Sequence, residues 1–291
     1  MKSKENNIIL LNDGRKLGYA IYGDMKGYPV FYFHGWPTSR FHAADMNTLA
    51  KKTHIKLISI DRPGIGLSDF KKTRTLLDWP DDVVELTDQL QIKTFGVMGV
   101  SGGGPYAAVC AYKIPQKLTK TAIVVGIAPT YVPKLLEGMP LLTKFGWANY
   151  AKSSLLRKGA ALLHYLNAKY GPSFGLHRFM FGAKKDKQAL SDPKIREGVR
   201  RGYKETFRTG YKGAEQDLEL YTNDWGFKLT DIKSKVFLFF GEADQNVPIA
   251  MGKYYHSQIK NSILITYPNE GHLIAKTHTE EILKTFATDI N

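Results

Sequence analysis

The chain has 291 residues, 43% of them hydrophobic and 23% charged, which suits one or two packed globular domains and argues against extended disorder. Its net charge is +14, but the Lys and Arg are spread along the chain, densest at about 184–212, rather than gathered with aromatics. That pattern points away from a nucleic-acid binder and toward a solvated basic surface, with weak steering of anionic substrates as its functional use. The one cysteine, Cys110, lies in the apolar run "AAVCAY"; an internal disulfide is excluded and a buried thiol is expected. Near the N-terminus the apolar run is about four residues long, short of the roughly seven to fifteen of a secretory signal. No run approaches the roughly 20 apolar residues of a membrane span. The expectation is a soluble, cytoplasmic protein.

"NIILL" and "KLGYAIYG" flank Asn12-Asp13-Gly14 and predict a hairpin. Apolar, β-branched and aromatic runs at 30–33, 56–60, 94–100 and 120–125 then predict buried strands. Helix-like stretches separate them, at about 39–53, at 80–91 with Pro80, Asp81 and Asp82 in its first turn, and just after Ser101. Such alternation predicts a parallel sheet with helices on both faces. From about 129 to 230 there is no strong strand pattern, only aromatics and leucines at helical spacings with Gly-Pro and Asp-Pro breaks. This segment is expected to be a helical insertion placed as a lid over a core formed by 1–128 and 231–291. Alternation resumes after it, with strands at 235–240 and 262–267 and helices near 248–259 and 279–289.

Gly99, Ser101 and Gly103 form G-x-S-x-G where a strand meets a helix. A sharp turn there holds the serine hydroxyl above the sheet, and the glycines remove Cβ atoms that would clash within it. The amide of Gly102 opens the following helix, where unpartnered N–H groups and the helix dipole favour a negative oxygen. A serine needs a base, and the base needs an orienting acid. Asp244 stands just past the strand ending at Phe240 and is preferred to Glu242 for its shorter, more easily fixed arm. His272, in "YPNEGHLIAK", lies between the last strand and the last helix; the other seven histidines fit worse. Among them His34 reads as a residue that orients the loop "HGWP", whose Trp36 amide is the candidate second oxyanion donor beside that of Gly102.

Taken together, "HGWP" (34–37), "DRPGIGLSD" (61–69), "GVSGG" (99–103), "GEADQNVP" (241–248) and "GHL" (271–273) resemble the α/β-hydrolase fold superfamily over nearly the whole chain. The resemblance implies a mostly parallel eight-stranded sheet flanked by helices, an inserted helical cap after the sixth strand, and a Ser101–Asp244–His272 triad. Some relatives carry the acid at the end of the sixth strand; "VVGIAPT" has none, which favours Asp244. "HGWP" is similar to epoxide hydrolases and haloalkane dehalogenases, but their nucleophile is an aspartate where Ser101 stands here. Proline iminopeptidases usually have Trp where this chain has Gly102.

The expected activity is hydrolysis of a carboxylic ester or related small acyl substrate through an acyl-enzyme. A peptidase, lactonase or carbon–carbon bond hydrolase would use the same triad, and a ligand-binding protein that has kept the fold without turnover is the alternative from another class. Trp36, Tyr131 and Met139, with Trp147, Phe174 and Phe179, are candidates to line an apolar substrate pocket. No cofactor or metal is expected: G-x-x-x-x-G-K-[ST], H-E-x-x-H and paired cysteines are all absent, and Gly64-x-Gly66 lacks a third glycine and a following helix. The oligomeric state is left open.

Overall fold

Alternation of side chains along the apolar runs divides them between two cores, one on each face of a sheet. Phe31, Phe33, Ile58, Ile60, Phe95 and Val97 pack into one. Val30, Tyr32, Leu57, Met98 and Val100 pack into the other. The computed structural model describes residues 4–171 and 182–287. The strands are β1 (Lys4–Leu10), β2 (Lys16–Gly23), β3 (Tyr28–Phe33), β4 (Ile55–Ile60), β5 (Phe95–Val100), β6 (Leu118–Val124), β7 (Val236–Gly241) and β8 (Ser262–Tyr267). Their order across the sheet is β1-β2-β4-β3-β5-β6-β7-β8. β2 runs antiparallel to both neighbours, β1 and β4, and the other five pairs are parallel. The β1–β2 turn is closed by Gly14, at φ 84°, whose N–H donates to the Leu11 carbonyl at 2.9 Å.

Three helices of the N-terminal half are α1 (Asn47–Lys52), α2 (Trp79–Gln89) and α3 (Gly104–Lys113). The stretch expected as one helix over 39–53 is instead a 3₁₀ helix, Arg40–Met46, running into the short α1. Arg40, Ala43 and Met46 are buried at intervals of three, the repeat of a 3₁₀ helix.

Between β6 and β7 the described residues form helices and turns and no strand. The helices are α4 (Leu141–Tyr150), α5 (Ser154–Tyr170), α6 (Lys184–Ala189), α7 (Pro193–Thr206) and α8 (Lys212–Thr222). Phe174 and Phe179 lie outside the described residues. After the insertion, α9 (Ile249–Gln258), α10 (Ile274–Thr277) and α11 (Thr279–Ala287) complete the chain as described.

Two buried charge clusters clamp this insertion to the sheet. In one, Arg40 meets Asp61 at 2.6 Å and Glu205 of α7 at 2.8 Å. Asp61 also accepts the Arg40 and Leu67 amides, so "DRPGIGLSD" builds a charged turn. In the other, Asp217 of α8 meets Arg62 at 2.7 Å and Arg74 at 2.5 Å.

Candidate active site

Parallel strands bring the loops after β3, β5, β7 and β8 to one edge of the sheet, and the predicted residues sit on those loops. Ser101 follows β5 directly with φ at 55°, a left-handed conformation that costs a non-glycine residue energy and marks a turn held in place by its surroundings. The close packing explains the neighbouring glycines. A Cβ at Gly99 would sit 2.2 Å from the Gly103 carbonyl oxygen, and one at Gly103 would sit 2.0 Å from that of Phe33.

His272 Nε2 lies 2.9 Å from Ser101 Oγ, and His272 Nδ1 lies 2.7 Å from Asp244 Oδ2. An ionised carboxylate only accepts, so Nδ1 holds the proton and Nε2 is left to accept from the serine hydroxyl. The second Asp244 oxygen accepts the amides of Asn246 at 2.8 Å and Val247 at 3.0 Å, which fixes the carboxylate. Glu242, the rival acid, instead accepts from Thr266 at 2.9 Å. Burial opposes a charge on the His272 ring, but the facing Asp244 carboxylate, its hydrogen bond and the nearby Asp186 outweigh it and raise the imidazole pKa.

Asp186, on α6, escaped the sequence reading. It is 2% exposed and accepts the backbone amides of His272 and Leu273, both at 2.9 Å. Gly271 makes room for it, since a Cβ there would come 2.3 Å from Asp186 Oδ2. Burial raises the Asp186 pKa, and those two amides partly offset the rise.

The loop after β3 is braced from beneath. Arg62 donates to the His34 carbonyl, and to that of Gly35 at 3.1 Å, while Asp217 holds its guanidinium at 2.9 and 2.7 Å. His34 is fully buried, its Nδ1 lies 2.8 Å from the Gly35 carbonyl, and burial with the adjacent Arg62 pushes its pKa well down, so the ring is neutral. Gly35 lets this loop approach the nucleophile, for a Cβ there would stand 3.1 Å from the Ser101 Cβ. Trp36 and Gly102 are neighbours across the site: a Cβ on Gly102 would lie 3.1 Å from the Trp36 Cβ. The Trp36 indole N–H donates to the Ala214 carbonyl at 2.9 Å, tying the loop to α8.

A cavity of about 310 Å³ opens onto Ser101, Gly102 and His272. Trp36, Ile127, Leu142, Trp147, His164 and Tyr221 give it a largely apolar lining. On the other side of Ser101 a smaller space of about 40 Å³ lies among Gly35, Pro37, Thr38, His42 and Lys276. Two of the candidate pocket residues lie elsewhere. Met139 is buried in the hydrophobic core and Tyr131 lines a separate groove with Trp225 and Tyr254. In a helical insertion without a clean period, nothing in the sequence says which side chains face the serine.

A serine on a strained turn at the end of the fifth strand of such a sheet defines an α/β hydrolase. The chain belongs to the alpha/beta hydrolase fold family, whose model matches residues 28–279. It is 26% identical over 278 residues to a bifunctional esterase/perhydrolase of Acinetobacter calcoaceticus, covering 95% of this chain and 96% of that protein. It is 27% identical over 277 residues to a non-heme chloroperoxidase of Streptomyces lividans, covering 94% and 95%. Among solved structures it is similar in fold to an esterase of Exiguobacterium antarcticum, with TM-score 0.66, 20% identity and coverage of 96% and 97%.

Proposed function

We propose that this α/β hydrolase is a serine hydrolase that cleaves carboxylic esters or closely related small acyl substrates. The observation that carries the reading is the continuous chain from Ser101 Oγ through His272 to Asp244, at 2.9 and 2.7 Å. Ser101 attacks the acyl carbon while His272 Nε2 takes its proton; the imidazolium is stabilised by Asp244 and then protonates the departing alcohol. Water, activated by the same imidazole, releases the acid and restores Ser101. The amides of Trp36 and Gly102 hold the oxyanion. Residues 129–230 act as a cap whose apolar side chains shape the acyl site over a core of 1–128 and 231–291. The apolar cavity beside Ser101 supports an uncharged acyl chain as its occupant.

A second reading has its own support in the similarity to an esterase/perhydrolase over 95% of the chain. Hydrogen peroxide in place of water would resolve the same acyl-Ser101 ester, giving a peracid and free serine.

Fluorophosphonate labelling and p-nitrophenyl ester turnover test both. Wild type should label at Ser101 and hydrolyse the ester, and Ser101→Ala should lose about 10⁴–10⁶ in kcat. Peracid formed on adding peroxide supports the second reading. A folded wild type that neither labels nor turns over any ester overturns the hydrolase reading and favours the ligand-binding one.

A further inference from the structure

The insertion presents an apolar face to solvent. On α5, Leu155, Leu163, Leu166 and Tyr170 are 78%, 55%, 43% and 72% exposed. With Gly159 they recur every three or four residues, which aligns them along one side of the helix. On the adjoining α4, Leu141, Leu142 and Phe145 are 86%, 88% and 60% exposed. Large apolar side chains clustered in this way mark a surface that meets something other than water. Leu142 also lines the cavity at Ser101, so the face borders the mouth of that cavity.

The segment that carries this face is one-sided in charge, while Glu215, Glu219 and Asp224 of neighbouring elements border it on the side of Leu155. Between Glu137 and Asp186 the sequence has no Asp or Glu and eight Lys or Arg. Lys152, Lys158 and Lys169 are exposed at the ends and along the side of α5. A second copy of the chain is a poor occupant: an isologous contact would set these lysines against themselves, and the carboxylates of Glu215, Glu219 and Asp224 lie to the Leu155 side only. An anionic surface with an apolar interior satisfies both halves of the pattern.

We propose that this face docks onto an anionic lipid bilayer, with the leucines in the boundary between headgroups and acyl chains and the lysines on headgroup phosphates. Docking of this kind turns the cavity mouth toward the lipid. Each basic residue near an anionic leaflet is worth about fivefold in binding, so three lysines give about a hundredfold preference for anionic over neutral vesicles. The proposal does not depend on catalysis, and Ser101→Ala should bind like wild type.

The test is co-sedimentation of the full chain with mixed phosphatidylglycerol/phosphatidylcholine vesicles and with phosphatidylcholine alone. Retention should favour the anionic vesicles by at least about tenfold, weaken with salt, and fall by about tenfold or more in Leu163→Asp/Leu166→Asp and in Lys152→Glu/Lys158→Glu. Both variants should melt like wild type, since the positions are exposed. No retention, equal retention on both vesicle types, or retention unchanged in both variants overturns the proposal. So does a concentration-dependent dimer that both variants abolish, which would assign the face to a second copy.

Discussion

Asp217→Asn should lower the melting temperature sharply although Asp217 lies outside the Ser101–His272–Asp244 chain. The carboxylate is fully buried and accepts from Arg62 at 2.9 and 2.7 Å, from Arg74 at 2.5 Å and from the Tyr106 hydroxyl at 2.8 Å. An amide in its place carries no charge, offers one oxygen and turns N–H donors toward a guanidinium. Two buried cations then face each other without an anion, and breaking a buried pair in this way costs about 3–5 kcal/mol. At about 2–3 °C per kcal/mol for a chain of this size, the expected loss is about 6–15 °C. Burial favours the neutral carboxyl, but Arg62 and Arg74 override it and lower the Asp217 pKa from 3.8 to about 2. A lowered pKa means stability that is fully present above the unfolded value and is lost as pH falls from about 4 toward about 2; the contribution is about 2 kcal/mol. The gap between wild type and variant should therefore be constant near neutral pH and narrow in acid, as followed by circular dichroism melts. Replacing all three charges, as Arg62→Met/Arg74→Met/Asp217→Leu, should recover part of the loss, because no buried charge remains unpaired although the Tyr106 hydroxyl and the His34 and Gly35 carbonyls lose these partners. The proposed ester hydrolysis should not return with it, since Arg62 also braces the His34 and Gly35 carbonyls. A melting point for Asp217→Asn within about 2 °C of wild type, or a gap that does not narrow in acid, would refute the reasoning.

Two other substitutions separate the groups around His272. Asp186→Asn should cut kcat/KM by about 10- to 100-fold, the worth of a hydrogen bond to a charged group, because one of the two amides at 272 and 273 loses its acceptor. Removing that charge lowers the His272 pKa, so the acid limb of the pH–rate profile should move to lower pH; an unmoved limb would leave Asp186 a packing role only. Asp244→Asn should lower kcat by about 10⁴, and Glu242→Gln, at a side chain that accepts from Thr266, should stay near wild type; the reverse result in an ester assay would reassign the acid.

The sheet was legible because both faces of its central strands are buried. "VFYF" and "GVMGV" are apolar at every position that meets a core, and turn residues close each run. The places of Ser101, Asp244 and His272 were legible for a related reason. Each lies in a loop just after a readable strand, and parallel pairing brings the ends of such strands to one edge. The 3₁₀ helix at Arg40–Met46 was misread as part of a longer helix, because a repeat of three over seven residues is hard to tell from a repeat of 3.6.

Buried charge was hidden more completely. "GAEQDLELYT" holds Glu215, Asp217 and Glu219 on one helix, and a hydropathy pattern treats all three as solvent-facing. Only Asp217 is fully buried, and its partner Arg62 is 155 residues away in the chain. Asp186 sits in "KKDK", the most polar context available, yet is 2% exposed because two backbone amides of the His272 loop need an acceptor. Asp186 satisfies the His272 loop directly, whereas Asp217 holds the Arg62 guanidinium that in turn braces the loop after β3. These contacts couple the insertion to the loops around Ser101, so a change in either acid should register in stability and turnover together.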